Sequence, residues 1–266
     1  MIELAPHNKQ GLSLDSPLIA GSGAVGYADA WPAGVTPVLF GALVTPPISW
    51  RSRRGSAAPR LAEIAGGFLL ATGDHNPGYR RVIQSHDAAW RRLGLPVIVA
   101  LAASAPEDWG RLGALLEEES GAAALELHLP HIAHRNDAAA WIGAVRRACT
   151  LPLLVKLPTP RAVALASTCA SAGADALVIG TAALARAAAA DGTLISGPIA
   201  GPAAFPLTLY ALAAVAELGL GLPLVAAGGI TQAEDVRRCF DAGAVAAQVR
   251  SLLWTDPGAV GQLTRD

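Results

Sequence analysis

The side chains with chemistry to offer are few and widely spaced. Lys156 stands near the end of LPLLVKL (151–157), three histidines fall at His128, His131 and His134, Gly228-Gly229 precede Ile230 and Thr231, and Arg250-Ser251 follows an apolar run. A cation at the end of an apolar strand can neutralise a developing negative charge, or act as a desolvated amine toward a carbonyl; it can equally be a lysine that reaches the rim and does nothing. A glycine pair before a helix start presents bare backbone N–H groups that suit a phosphate, and it is also an ordinary turn. Imidazoles take protons near neutral pH or bind metals. Only His128 falls on an expected strand; His131 and His134 follow Pro130 in a loop, and no metal is expected.

These groups need a scaffold that brings distant strand ends together, and the chain carries one. Pro17–Ala20 and Val38–Thr45 read as strands, and from Tyr79 onward a helix-then-strand unit recurs six times. Helical Tyr79–Leu93 leads to GLPVIVAL, Pro106–Ser120 to GAAALEL, Asp137–Cys149 to LPLLVKL and Arg161–Ala172 to GADALVIG. After a longer connection Ala203–Leu218 leads to LPLVAAGG and Thr231–Ala242 to GAVAAQV. Strand–helix alternation implies a parallel sheet. Eight strands in a chain of 266 residues imply an α/β fold, a single (β/α)8 barrel spanning 1–266. Ile2–Leu4 and Gly11–Leu14 read as a short N-terminal β-hairpin, and Pro59–Gly78 as a long irregular loop. Alternation along LPLLVKL puts Leu154 and Lys156 on one face, so Lys156 is expected at the mouth formed by the strands' C-terminal ends.

Composition narrows the function classes. Apolar residues make up 52% and charged ones 15%, with 20 basic against 21 acidic side chains. No bulk field would gather nucleic acid or an anionic membrane, and the charge-poor surface leaves room for a buried homodimer or hetero-oligomer face. Cys149, Cys169 and Cys239 make no metal or redox spacing. The start lacks a signal-peptide pattern and Ala172–Ala190 is interrupted by Asp175 and Arg186, so a soluble cytoplasmic protein without a membrane span is expected.

The stretch PRLAEIAGGFLLATGDHNPG (59–78), the VKL, SGP and GGI motifs, and a first strand ending in Gly21-Ser22-Gly23 together resemble the dihydroorotate dehydrogenase family, closest to its soluble class. The resemblance implies a flavin oxidoreductase with FMN at the barrel mouth. It places Ala20, Gly21 and Ser22 along the flavin, with Thr45 and Thr181 at neighbouring strand ends. Lys156 would lie by the pyrimidine edge, with Gly197, Gly228, Gly229, Arg250 and Ser251 around the phosphate and Asn76 on the substrate. A small-molecule substrate and a related or electron-transferring partner subunit follow from the same likeness.

The departures fall at four strand ends. The family has an asparagine and then a cysteine base after its fourth strand; here ALELHLPHI stands there, with His128 for the asparagine and no cysteine. Pro46 follows Thr45 where the family has lysine, Gly180-Thr181 replaces an asparagine-threonine pair, and Arg250 replaces a glycine near the phosphate. His131, or His128, would serve as surrogate base, and Arg250 would either grip the phosphate or fill its pocket. Two functions follow: an FMN oxidoreductase with a changed substrate, or an FMN-free family member that persists as a binding or structural subunit.

Overall fold

The computed structural model describes residues 1–102, 106–181 and 183–264. Eight parallel strands close into a barrel in chain order: β1 (Leu18–Ala20), β2 (Ala42–Val44), β3 (Val97–Leu101), β4 (Ala124–His128), β5 (Leu153–Pro158), β6 (Ala176–Thr181), β7 (Leu224–Ala227) and β8 (Ala246–Val249). Six helices lie between or after them: α1 (Tyr79–Trp90), α2 (Pro106–Glu119), α3 (Arg135–Ala148), α4 (Ala162–Ser171), α5 (Phe205–Ala216) and α6 (Ala233–Asp241). A short α7 (Ser251–Thr255) follows β8 directly. The expected (β/α)8 barrel is the fold.

Strand alternation sorts side chains into two cores. On β5, Leu153, Val155 and Leu157 join the layer between barrel and helices, and Leu154 joins the lumen. On β4, Leu125 and Leu127 point outward and Ala124 inward; on β8, Ala247 and Val249 point outward and Ala246 inward. Glu126, Lys156 and Gln248 therefore continue the lumenal rows one layer up. The lower lumen is apolar, with Ile19, Val44, Ile98, Val178 and Val225 packed together.

The N-terminal hairpin, observed as Ile2–Glu3 paired with Ser13–Leu14, adds Leu4, Ala5, Leu12 and Leu14 to that cluster. Its Asn8 donates to the carbonyl of Thr150, just ahead of β5, and to Asp175, just ahead of β6. The hairpin thus closes the end of the barrel remote from the mouth.

Two sequence expectations need correction. Val38–Thr45 is not one strand: Pro37–Leu39 forms a 3-10 turn, where Pro37 fits the first helical position, and the strand begins at Ala42. The segment 59–78 is not irregular throughout. Leu61–Ile64 and Gly67–Leu70 pair antiparallel, and Leu194–Ala200 adds to Gly67–Leu70 with Leu184–Ala188 beyond it. This four-stranded sheet buries Ala62, Leu69, Ala189 and Ile195 in its own small core. No described helix is long and apolar enough to cross a membrane.

Candidate functional site

Above the apolar lumen sits a polar layer contributed by three strands. Glu126 on β4 is 0% exposed, Lys156 on β5 is 8% and Gln248 on β8 is 3%. Lys156 Nζ donates to Gln248 Oε1 at 2.6 Å and lies 3.4 Å from Glu126 Oε1. Gln248 Nε2 donates to Glu126 Oε2, and His128 Nε2 lies 2.6 Å from Glu126 Oε1. Strand register makes this possible: His128 pairs with Lys156 across β4 and β5, and Glu126 pairs with Leu154.

Burial pushes the Glu126 carboxyl up, but the Lys156 charge and the bonds from His128 and Gln248 outweigh it and hold it at about 2. Burial pulls Lys156 down; Glu126 opposes that pull and the Arg250 charge adds to it, leaving the ammonium below its usual range.

The polar layer floors a cavity of about 420 Å³ at the mouth, a size typical of small-molecule and cofactor sites. Gly21, Ser22, His128, Lys156, Gly180, Gly228, Gly229, Arg250 and Ser251 line it. Pro46, Pro47, Leu70, Pro198 and Ile199 form an apolar wall, and His75 and Asp74 reach in from the loop before α1.

Glycine is required where the backbone is closest. A Cβ on Gly180, whose φ is 154°, would overlap the Ala227 carbonyl oxygen, and one on Gly229, at φ 77°, would overlap the Phe205 amide. The N–H groups of Gly228, Gly229 and Ile230 donate to no backbone acceptor among the described residues. Arg250 is half-buried beside them, its guanidinium 5.4 Å from the centroid of the Trp254 ring.

Other residues singled out in the sequence sit elsewhere. Ala20 ends β1 fully buried, and Thr45 Oγ1 accepts from Ala100 N at 3.1 Å, which ties β2 to β3. Gly197 packs against the backbone of Leu70 and Ala71 behind the cavity wall. Thr181 ends β6 by its backbone; its side chain lies outside the described residues. Asn76 is buried with its amide committed: Oδ1 accepts from Gly78 N at 2.9 Å, and Nδ2 donates to Ser49 Oγ and to the Asp74 carbonyl. It braces the loop and does not line the cavity. His131 is half-buried in the loop after β4, where burial lowers its pKa, and His134 precedes α3; neither lines the cavity. No cluster that could hold a metal occurs among the described residues. Cys149, Cys169 and Cys239 are buried away from the mouth, their thiols pushed up to about 11, 12 and 12 by burial.

Sequence reading missed Glu126, Gln248 and His75. The first two carried a signal: in ALELH and AVAAQV each is the polar residue at an inward position of an otherwise apolar strand, with the parity that singled out Lys156. His75 lay in a segment without periodicity.

Comparison with known proteins agrees with this barrel. The family model described as dihydroorotate dehydrogenase matches residues 5–266. A protein of Pelobacter propionicus named dihydroorotate dehydrogenase B (NAD(+)), catalytic subunit, is 32% identical over 97% of this chain and 90% of its own length. Proteins of the same name from Geotalea daltonii and Geobacter sulfurreducens are 31% and 30% identical, over 94% and 96% of this chain and 87% and 89% of theirs. The chain belongs to the dihydroorotate dehydrogenase family.

Proposed function

We propose that this chain is an FMN-dependent oxidoreductase whose substrate is not dihydroorotate. The observation that carries the reading is the joint placement, on one cavity, of the Lys156 ammonium and the glycine-lined turn at Gly228–Ile230. The residues present fit the cofactor. At Gly180 and Gly229 the backbone admits no side chain, and the N–H groups of residues 228–230 have no internal acceptor among the described residues. Arg250 adds a guanidinium suited to two parallel bonds with a phosphate. Gly228, Gly229, Arg250 and Ser251 would hold the phosphate, and Gly21, Ser22 and Lys156 would border the ring system. When bound, FMN would supply the acceptor for a hydride leaving one carbon of the substrate.

The protein's own part is positional and electrostatic. Lys156 keeps a positive charge near the ring system, held in place by Glu126 and Gln248. His128, at the cavity wall, takes the proton released from the neighbouring carbon; an imidazole is well suited to that exchange near neutral pH. The apolar wall of Pro46, Leu70 and Pro198 excludes water from the reacting face.

The change of substrate follows from what the wall lacks. Among the described lining residues the side-chain amide is that of Gln248, and both its ends are occupied by Lys156 and Glu126. A ring edge of alternating N–H and C=O groups would find no free side-chain amide to pair with both, and unmatched polar groups are costly. No cysteine lines the cavity. Oxidation of dihydroorotate is therefore expected to be weak or absent. Because the relatives are named as catalytic subunits, we infer a second subunit that removes the electrons, and a cytoplasmic setting for the pair.

Titrating purified protein with FMN tests the cofactor. Saturable uptake of one FMN per chain with quenched flavin fluorescence is expected. A protein that is colourless and takes up no FMN overturns this reading and leaves the FMN-free binding subunit.

A further inference from the structure

We propose that Glu126 and His128 form a carboxylate–imidazole dyad in which the buried carboxylate holds the ring hydrogen on Nε2, leaving the Nδ1 lone pair as the proton acceptor of the cavity. The inference deepens the oxidoreductase reading and rests on it for the reaction, but its geometry stands without any flavin.

The hydrogen-bond directions can be followed one group at a time. An ammonium only donates, so the Gln248 atom at 2.6 Å from Lys156 Nζ is the carbonyl oxygen. That orientation turns the Gln248 amide nitrogen toward Glu126 Oε2, which must accept. Lys156 donates to the other carboxylate oxygen, Oε1, at 3.4 Å. With both oxygens accepting and a cation beside them, Glu126 is an ionised carboxylate and has only lone pairs to offer. The third group on it, His128 Nε2 at 2.6 Å, is therefore the donor. A neutral ring that carries its hydrogen on Nε2 has a lone pair on Nδ1. No described residue bonds to Nδ1, and the His128 side chain, 20% exposed, lines the cavity.

Function follows from this polarity. A proton abstracted from substrate would add at Nδ1, and the positive charge formed on the ring would lie against the Glu126 carboxylate. Glu126 is then a positioning residue. It aims the base, fixes its tautomer and shares one carboxylate between His128 and Lys156. The dyad is written in the sequence as Glu-x-His at the end of β4, which places both side chains on the lumenal face.

The tautomer can be read directly by two-bond proton–nitrogen NMR on full-length protein labelled with nitrogen-15 at its six histidines. His128→Gln identifies the signals. The expected result is a neutral ring at pH 7.5 with hydrogen on Nε2 and a bare Nδ1. In Glu126→Leu, where Lys156 keeps Gln248 as partner, both tautomers should appear. Hydrogen on Nδ1 in the wild-type protein, or a ring protonated on both nitrogens at that pH, would overturn the proposal. So would an unchanged tautomer in folded Glu126→Leu. If that variant does not fold, the wild-type spectrum alone decides. Failure of the flavin reading shows separately, as absent FMN uptake with the tautomer intact.

Discussion

The two halves of the barrel mouth differ in kind. On the side of β5 to β8, a lysine, an arginine, a glutamine and the glycines of the β6 and β7 ends surround the cavity, with backbone donors left free. On the side of β2 to β4 and the overlying sheet, Pro46, Pro47 and Leu70 form an apolar wall, and His128 meets Arg60, Thr72, Asp74 and His75 from the loop before α1. On the proposed function the first half would hold the charged cofactor that every turnover shares. The second would discriminate between substrates, while the departures from the family resemblance fall in both halves, at Pro46 and His128 and at Gly180 and Arg250. On the proposed function, cofactor and substrate groups would lie on different strands, so a loss on one side need not disturb the other.

A large effect is expected on the first half. Gly229→Val puts a branched side chain into the Phe205 amide at a positive φ, at the start of α5's packing against the barrel. A loss of roughly 3 kcal/mol or more is expected from overpacking and backbone strain together. Soluble, fully stable protein in a denaturant titration would show that the turn is not tight.

Next comes Lys156→Met, which leaves Glu126 buried beside a neutral chain. Removing one member of a buried pair costs about 3–5 kcal/mol at neutral pH. The pH dependence has a definite sign. The Glu126 pKa falls from its ordinary 4.5 to about 2 on folding. Its contribution is therefore complete above 4.5 and fades as pH drops through about 2. Without Lys156 that depression shrinks, so the stability gap between wild type and variant should narrow from pH 7 to pH 3. A constant gap in urea unfolding at both pH values would remove the pair from the account. If FMN binds, flavin reduction should also slow, through loss of the cation.

How much of this could be read from the chain depended on periodicity. β5 carried its lysine in an apolar run whose parity settled its direction, and each helix-then-strand unit repeated the same signal. Glu126 and Gln248 had the same parity but were passed over, because a carboxylate or amide in a strand carries meaning only once its partner is known. Glu126 is separated from Lys156 by 30 residues and from Gln248 by 122. The segment 59–78 failed differently. Its hairpin pairs with Leu194–Ala200, far along the chain, and a sheet formed by such distant pieces leaves little local pattern. The bonds of Asn76 to Ser49 and Gly78 likewise depend on a fold of the loop that spacing does not reveal.

Asn76 gives a sharper test of where the boundary between the halves runs. Its amide satisfies Gly78 N, Ser49 Oγ and the Asp74 carbonyl away from the cavity. Asn76→Ala should lower stability by about 1–3 kcal/mol through buried groups left unpaired. Ligand binding in the folded variant should fall only as far as the loop loosens. A variant of wild-type stability with abolished ligand binding would move Asn76 back into the cavity wall.

Arg250 gives the most direct reading of the cofactor side. The family resemblance implies glycine at this place, and arginine brings a long side chain with a permanent charge. Two outcomes were open from sequence: a guanidinium that pairs with the phosphate, or one that occupies its pocket. The structure puts the guanidinium over the Trp254 ring, 5.4 Å from its centroid. Resting on that ring, the side chain stands at the edge of the Gly228–Ile230 turn, and its charge lowers the Lys156 pKa. Three cations, Arg60, Lys156 and Arg250, and one carboxylate, Asp74, line the cavity, with Glu126 buried in the polar layer beneath it. That surplus of positive charge favours an anionic group in the space. Arg250→Gly should weaken FMN binding by about 1.5–3 kcal/mol, the worth of a hydrogen bond to a charged group, which is roughly a 10- to 150-fold rise in Kd. Trp254→Leu, which removes the ring but not the charge, should cost less. Tighter FMN binding by Arg250→Gly would show that arginine fills the phosphate pocket, and would make both halves of the mouth divergent.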